Sequence, residues 1–209
     1  MIGLAIHTSS PELGLALTDF NAVERHQTWP LGRDLTQYLH TSLATFMHPY
    51  AWSDLAFLAV AKGPGGFTGT RIGVVVARTL AQQLAIPLFG VSSLAAIAQT
   101  HSLSQNISNP PTADIAIALR AQREEIFGAI YHSHPNGLTN KLPEAVRSQA
   151  DWEACLTSWS QPYHLITAEG GLAASVTGVL SLAQHQWTAG DRPHWQTVLP
   201  FYGQHPVHR

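Results

Sequence analysis

The chain has 209 residues, 45% of them hydrophobic and 11% charged, with a formal net charge of −2. That length allows one large or two small domains with a buried core, and eleven Lys and Arg residues give no positive field able to hold nucleic acid unaided. The single cysteine, Cys155, excludes an intrachain disulfide and fits a reducing compartment; no leader and no apolar run of ~18 residues is seen, so a cytoplasmic protein is expected. Soluble proteins usually carry about one quarter charged residues. A chain this poor in charge is expected to cover part of its surface with a partner.

In chain order, residues 2–7 and 13–18 read as strands joined by the turn-rich Thr8-Ser9-Ser10-Pro11-Glu12, and Val23–Trp29 as a third. From Asp34 to Met47, Leu35, Leu39, Leu43 and Phe46 recur on one helical face. Ser53-Asp54 suits a capped turn ahead of Phe57-Leu58-Ala59-Val60-Ala61, a short apolar run that reads as a buried strand.

Next comes Gly63-Pro64-Gly65-Gly66-Phe67-Thr68-Gly69-Thr70-Arg71-Ile72-Gly73, followed by a helical stretch through Leu84. Strand, glycine loop and helix N-terminus are a common setting for an anion. No Lys-Ser or Lys-Thr pair closes the loop as a Walker A sequence requires, and Thr68 breaks a strict G-x-G-x-x-G. Glycine content alone leaves two readings open, an anion site and a tight packing turn. The turn reading makes Thr68 the helix N-cap and has Arg71 hold the loop through backbone carbonyls or a carboxylate. Along the helix Ile72, Val76, Leu80 and Leu84 form one stripe, which Val74 and Val75 widen. A helix apolar on two sides must bury two sides, against the sheet alone or against a further subunit as well.

Ser92-Ser93 reads as a helix cap, and His101–Ala113, with Pro110-Pro111, as a linker. A division into residues 1–105 and a smaller 106–209 follows, the tail returning to the first part. Beyond the linker, Ile115–Leu119 and Glu125–Tyr131 read as strands, the latter entering a His134-Pro135-Asn136-Gly137 turn. Trp152, Leu156 and Trp159 mark a helical face, Leu165-Ile166-Thr167 a short strand, and Leu172–Leu182 a helix weakened by Gly178. No internal repeat shows in the letters.

The string Gly-Pro-Gly-x-Phe-Thr-Gly-x-Arg-Ile-Gly, at Gly63, Pro64, Gly65, Phe67, Thr68, Gly69, Arg71, Ile72 and Gly73, resembles the signature of the TsaB family. Ile2–Ser9 is similar to that family's opening strand, Leu88–Leu94 to the strand and turn after its long helix, and Pro200-Phe201-Tyr202 to its closing Pro-x-Tyr. The resemblance implies an actin/hexokinase/Hsp70-like α/β fold with two lobes, the second reduced. It also implies a non-catalytic subunit that binds TsaD, with TsaE joining a larger complex, and that supports threonylcarbamoyl transfer to adenosine 37 of tRNA. tRNA would be contacted only indirectly. No cofactor is expected, although a nucleotide at a subunit junction is left open. Helix 34–47 and the helix near Gly69 would pack against the equivalent pair of TsaD, with Leu39, Leu43, Val75 and Thr79 as contacts, or against a second copy as a homodimer.

Three departures from the family pattern bear on any inherited small-molecule site. His7 stands where an aspartate is usual, Leu35 where a histidine is common, and Arg120-Ala121-Gln122-Arg123-Glu124-Glu125 where Asp-Ala-Arg-Arg-Gly-Glu is common. An imidazole does not replace a carboxylate as a magnesium ligand. The rival reading, an autonomous ATP-dependent small-molecule kinase of the same fold, would need such a ligand and a second glycine loop, for which Gly170-Gly171 is a weak candidate. Metal and hydrolase chemistry fare worse. His132-Ser133-His134 has no acidic or cysteine partner nearby, HExxH and Gly-x-Ser-x-Gly are absent, and Cys155 sits beside an apolar face.

Overall fold

A computed structural model of the chain describes residues 1–20, 23–105, 113–121 and 123–202. The first sheet has the order β3-β2-β1-β4-β5, from β1 (Ile2–His7), β2 (Leu13–Thr18), β3 (Val23–Trp29), β4 (Leu55–Ala61) and β5 (Leu88–Val91). β1 to β3 form an antiparallel meander, while β4 lies parallel to β1 and β5 parallel to β4. β1, β2 and β4 are buried at every position. This is why they read as unbroken apolar runs.

Period-two alternation sorts those side chains onto two faces. Ile2, Leu4, Ile6, Leu13, Leu15, Leu17, Leu58 and Val60 pack under α1 (Leu35–Met47) and α2 (Phe67–Leu84). The opposite face is built of Ala5, Ala16, Ala59 and Ala61 around Phe57 and Phe89, and receives α5 (Val176–Thr188). Small residues there make room for rings: a Cβ on Gly3 would lie 2.4 Å from the Phe57 ring.

The second sheet has the order β8-β7-β6-β9, from β6 (Asp114–Arg120), β7 (Glu125–His134), β8 (Gly137–Ser148) and β9 (Tyr163–Ala168). β6 to β8 again form an antiparallel meander with β9 parallel to β6, so the first four strands of the other sheet are repeated without the fifth. This doubled β-β-β-α-β-α unit is the actin-like architecture, with its second half reduced. One face packs on α3 (Ser93–Ser104) through Ile115, Ile117, Leu119, Phe127 and Tyr131. The other receives Trp152 and Leu156 of α4 (Gln149–Thr157).

The two inner helices are exchanged between sheets. α3 follows the first sheet in sequence and lends Leu94 and Ala98 to the second sheet's core. α5 follows the second sheet and puts Val176, Val179, Leu180 and Ala183 into the first sheet's core. They cross so closely that a Cβ on Gly178 would sit 2.1 Å from the Ala96 carbonyl oxygen. The glycine that weakens the helical pattern of 172–182 is therefore required by the crossing. That stretch is a 3-10 turn (Leu172–Ser175) leading into α5, not one helix.

Other expectations need correcting. The linker expected from His101 begins later, since α3 runs to Ser104; Pro110-Pro111 lies outside the described residues. β8 was not expected. It carries Lys141, Pro143, Glu144 and Arg147, the polar content of a sheet edge. Gly178→Ala should lower stability by roughly 1–3 kcal/mol in urea denaturation, overpacking outweighing the gain in helix propensity. Gly170→Ala, where nothing lies within 4 Å, serves as the neutral control. Equal stability of both variants would sink this account of the crossing.

Candidate functional site

The β4-to-α2 connection reverses the chain at Gly63, whose φ of +99° favours glycine, and enters α2 at Phe67. The glycines are filled from two sides by the protein's own chain. On one side stands the β1–β2 turn. Added Cβ atoms on Gly65 and Gly69 would lie 2.2 Å from the Ser9 and Thr8 carbonyl oxygens respectively, and one on Gly73 would lie 2.1 Å from Thr8 Oγ1. Gly66 N–H donates to the Ser9 carbonyl at 2.7 Å, and Thr8 Oγ1 donates to the Gly69 carbonyl at 2.8 Å. On the other side is the C-terminal segment. A Cβ on Gly63 would lie 2.3 Å from the Phe201 carbonyl oxygen, and Phe201 N–H donates to the Lys62 carbonyl at 2.7 Å. Of the two readings of this loop, the packing turn is the one the geometry matches.

Its fastenings differ from those expected. The N-cap of α2 is Gly66, with no side-chain cap, and Thr68 is an exposed residue inside the first turn. Among the described residues Arg71 has neither a carbonyl nor a carboxylate as partner. Its Nε donates to Tyr202 Oη at 3.1 Å, and its guanidinium lies over the Phe67 ring at 4.5 Å. Phe67 and Tyr202 stack with centroids 4.5 Å apart. The Pro-x-Tyr ending thus reaches the loop, a link that only the shared family pattern of both segments could have suggested.

The sheet register fixes His7 at the end of β1, opposite Gly14, wholly buried. Its Nδ1 accepts from Ser9 N–H at 3.3 Å, while Nε2 has no partner among the described residues. Burial pushes its pKa down to about 3, so the ring is neutral at pH 7. Leu35 is a core residue of α1. Arg120, Arg123 and Glu124 are exposed; Gln122 lies outside the described residues. Gly170 and Gly171 approach nothing within 4 Å.

His132 Nδ1 lies 2.8 Å from Asp114 Oδ1, and Trp159 Nε1 donates to Asp114 Oδ2 at 3.0 Å, which ties that histidine into the second sheet. Asp114 is eighteen residues upstream, too far along the chain for a local motif to reveal. Ser92 caps α3, accepting from Leu94 N–H at 3.2 Å, and its hydroxyl donates to Glu144 of β8. Burial, with Glu144 close by, raises the Tyr131 pKa.

On the helical face α1–α2, Leu39 and Leu43 are 1% and 2% exposed, wholly taken up by the first core. They cannot serve as partner contacts, and that expectation is corrected. The inward stripe of α2 is Thr70, Gly73, Val74, Ala77 and Ala81 rather than Ile72, Val76, Leu80 and Leu84, which are half-buried at its flank. Val75, at 55% exposure, lies outward with Thr79, and Tyr38 is exposed on α1.

These features define an actin-like protein whose glycine loop is filled by its own backbone. The family model described as "TsaD: tRNA N6-adenosine threonylcarbamoyltransferase" matches residues 45–177. The tRNA threonylcarbamoyladenosine biosynthesis protein TsaB of Bacillus subtilis is 32% identical over 162 residues, 76% of this chain and 67% of that one. Its Escherichia coli namesake is 27% identical over 191 residues, covering 81% and 76%. The structure of YeaZ from Pseudomonas aeruginosa superposes with a TM-score of 0.77 at 24% identity, over 96% of this chain and 99% of that one, a likeness of fold. The chain belongs to this family, and within it resembles the TsaB proteins.

The buried histidine gives a pH signature. An unfolded imidazole titrates near pH 6.5 and the folded one near 3, so protons bind preferentially to the unfolded chain between those values. Stability is full above pH 6.5 and falls on acidification, by about 2 kcal/mol from this group between pH 6.5 and 5. His101 and His185, also lowered by burial, act with the same sign. Urea denaturation at pH 7 and pH 5 should show a smaller acid loss for His7→Gln than for the parent; identical losses would count against the buried neutral ring.

Proposed function

We propose that this chain is a non-catalytic subunit in tRNA threonylcarbamoyladenosine biosynthesis that binds TsaD and supports threonylcarbamoyl transfer to adenosine of tRNA. One observation carries the reading. The approach to the glycine loop is taken by Thr8, Ser9 and Phe201, beside a buried neutral His7 where a magnesium carboxylate would be needed. The Thr8, Ser9 and Phe201 backbone fills the space beside Gly63, Gly65 and Gly69, while Gly65 to Thr68 stay exposed on the outer side of the turn. The names of the TsaB relatives support the pathway, and the exposed α1–α2 surface supports the partner.

The docking surface is the outward side of α1 and α2, with Tyr38, Val75 and Thr79 as contacts. Related subunits present related patches, so the same surface pairs with a second copy when TsaD is absent. TsaE joins the heterodimer, and tRNA is gripped by the partner, since this chain carries −2 net charge. The kinase alternative lacks a carboxylate at His7 and a second glycine loop in contact with anything at Gly170-Gly171.

Calorimetry with purified TsaD tests the reading. The parent chain should bind, and Val75→Glu should weaken binding at least ~10-fold, a burial penalty of about 1.4 kcal/mol or more, without changing the melting temperature. Undiminished affinity of this variant would place the interface elsewhere. Micromolar binding of ATP and magnesium by the isolated chain, lost on Gly65→Ala, would favour the kinase instead.

A further inference from the structure

The two sheets leave four edges, and three of them are guarded. β3 carries Arg25 and His26. β5 is covered by the C-terminal segment, where Leu88 N–H donates to the Pro193 carbonyl and Val198 packs at Gly90. β8 has Lys141, Pro143, Glu144 and Arg147 and two register shifts against β7. Charge, proline, bulges and covering segments are the usual means of keeping an edge from pairing. Among the described residues β9 has none of them. Its sequence Tyr-His-Leu-Ile-Thr-Ala is free of Lys, Arg, Asp, Glu, Pro and Gly, its register with β6 is unbroken, and Tyr163 and Leu165 are 36% and 48% exposed.

The internal repeat says what belongs there. β4 is the counterpart of β9, and its outer edge is occupied by β5, parallel and in register from Leu58–Leu88 to Ala61–Val91. Among the described residues no strand takes that place beside β9. Nor does α5, the counterpart of α2, cover the outer face above Tyr163 and Leu165, because α5 has been exchanged to the first sheet.

We propose that the outer edge of β9 is a strand-addition site, taking one extended, uncharged segment of about six residues from a partner protein as a fifth strand. Backbone N–H and C=O groups of β9 would supply affinity, and Tyr163 and Leu165 would select apolar side chains on the outer face. Size decides the occupant. Six residues of strand, about 20 Å long and ~10 Å across, offer about 200 Å², far short of the roughly 800 Å² per partner that a stable dimer of globular chains buries. A single extended segment of about six residues matches the length of the edge. The absence of charge on β9 points to an uncharged segment rather than an acidic or basic one. This proposal does not depend on the functional reading above.

The probe is a fluorescein-labelled peptide of residues 86–91 of this chain, the repeat's own fifth strand, on a soluble Gly-Ser tail. Anisotropy should rise with protein concentration and saturate with a Kd on the order of 100 µM. A probe N-methylated at alternate backbone nitrogens should lose binding to the unaltered protein, and Leu165→Lys should weaken the plain probe at least ~10-fold. No binding up to about 1 mM, or binding indifferent to N-methylation, overturns the proposal. So does a dimer in sedimentation that Leu165→Lys dissolves, which would give the edge to a second copy.

Discussion

The crossing of α3 and α5 is the contact on which the rest of the molecule depends. Each helix leaves the sheet it follows in sequence and packs on the other, so that neither core is complete without residues from both halves of the chain. Gly178 permits this by letting α5 approach the Ala96 carbonyl of α3. Close-packed interiors tolerate little change in such a separation. The alanine-lined face of the first sheet follows from the same demand, since only small residues leave room for Phe57, Phe89 and a helix within one layer. The exchange also has a consequence on the outside, for among the described residues no strand pairs with the outer edge of β9, and α5 does not cover its outer face.

A glycine-rich loop before a helix is a place where something can come close, and its chemistry depends on what does. In this protein the arrivals are the Thr8–Ser9 carbonyls and the Phe201 carbonyl. These are acceptors, and they meet Cα positions and one N–H donor rather than an anion. Arg71 completes the arrangement by stacking on Phe67 and donating to Tyr202, so loop, helix start and C-terminal segment form one unit. The burial of His7 belongs with this filling. A fully ionised group at that depth would cost far more than the ring's neutral form does, and the lowered pKa expresses that cost.

The scarcity of charge in the composition finds its outlet in specific places. Val75 and Tyr38 on the outer helices, Phe67 beside the loop, and Tyr163 with Leu165 on β9 are large apolar side chains left in solvent. Single exposed apolar residues are ordinary, whereas their placement on an outer helical surface and on an unguarded edge is not. Both surfaces lie away from the α3–α5 layer, so a partner on either would not disturb the cores.

Much was legible in the letters. β1, β2, β4, α1 and the strand–loop–helix order follow from apolar period and turn chemistry, which are local and survive any tertiary setting. The loop motif and the closing Pro-x-Tyr likewise carried the family on their own. What tertiary structure decided were the contacts between distant segments. Arg71 finds Tyr202 across 131 positions, and Ser10 Oγ accepts from Ala173 N–H across 163. Leu39 and Leu43 are periodic enough to mark a helix, yet period cannot tell which face meets a sheet and which a partner. β8 hid because an edge strand is selected for polar and proline-bearing positions rather than for burial. Gly178 read as a weakness because helix propensity is a property of one segment, while the close crossing that requires it is a property of two.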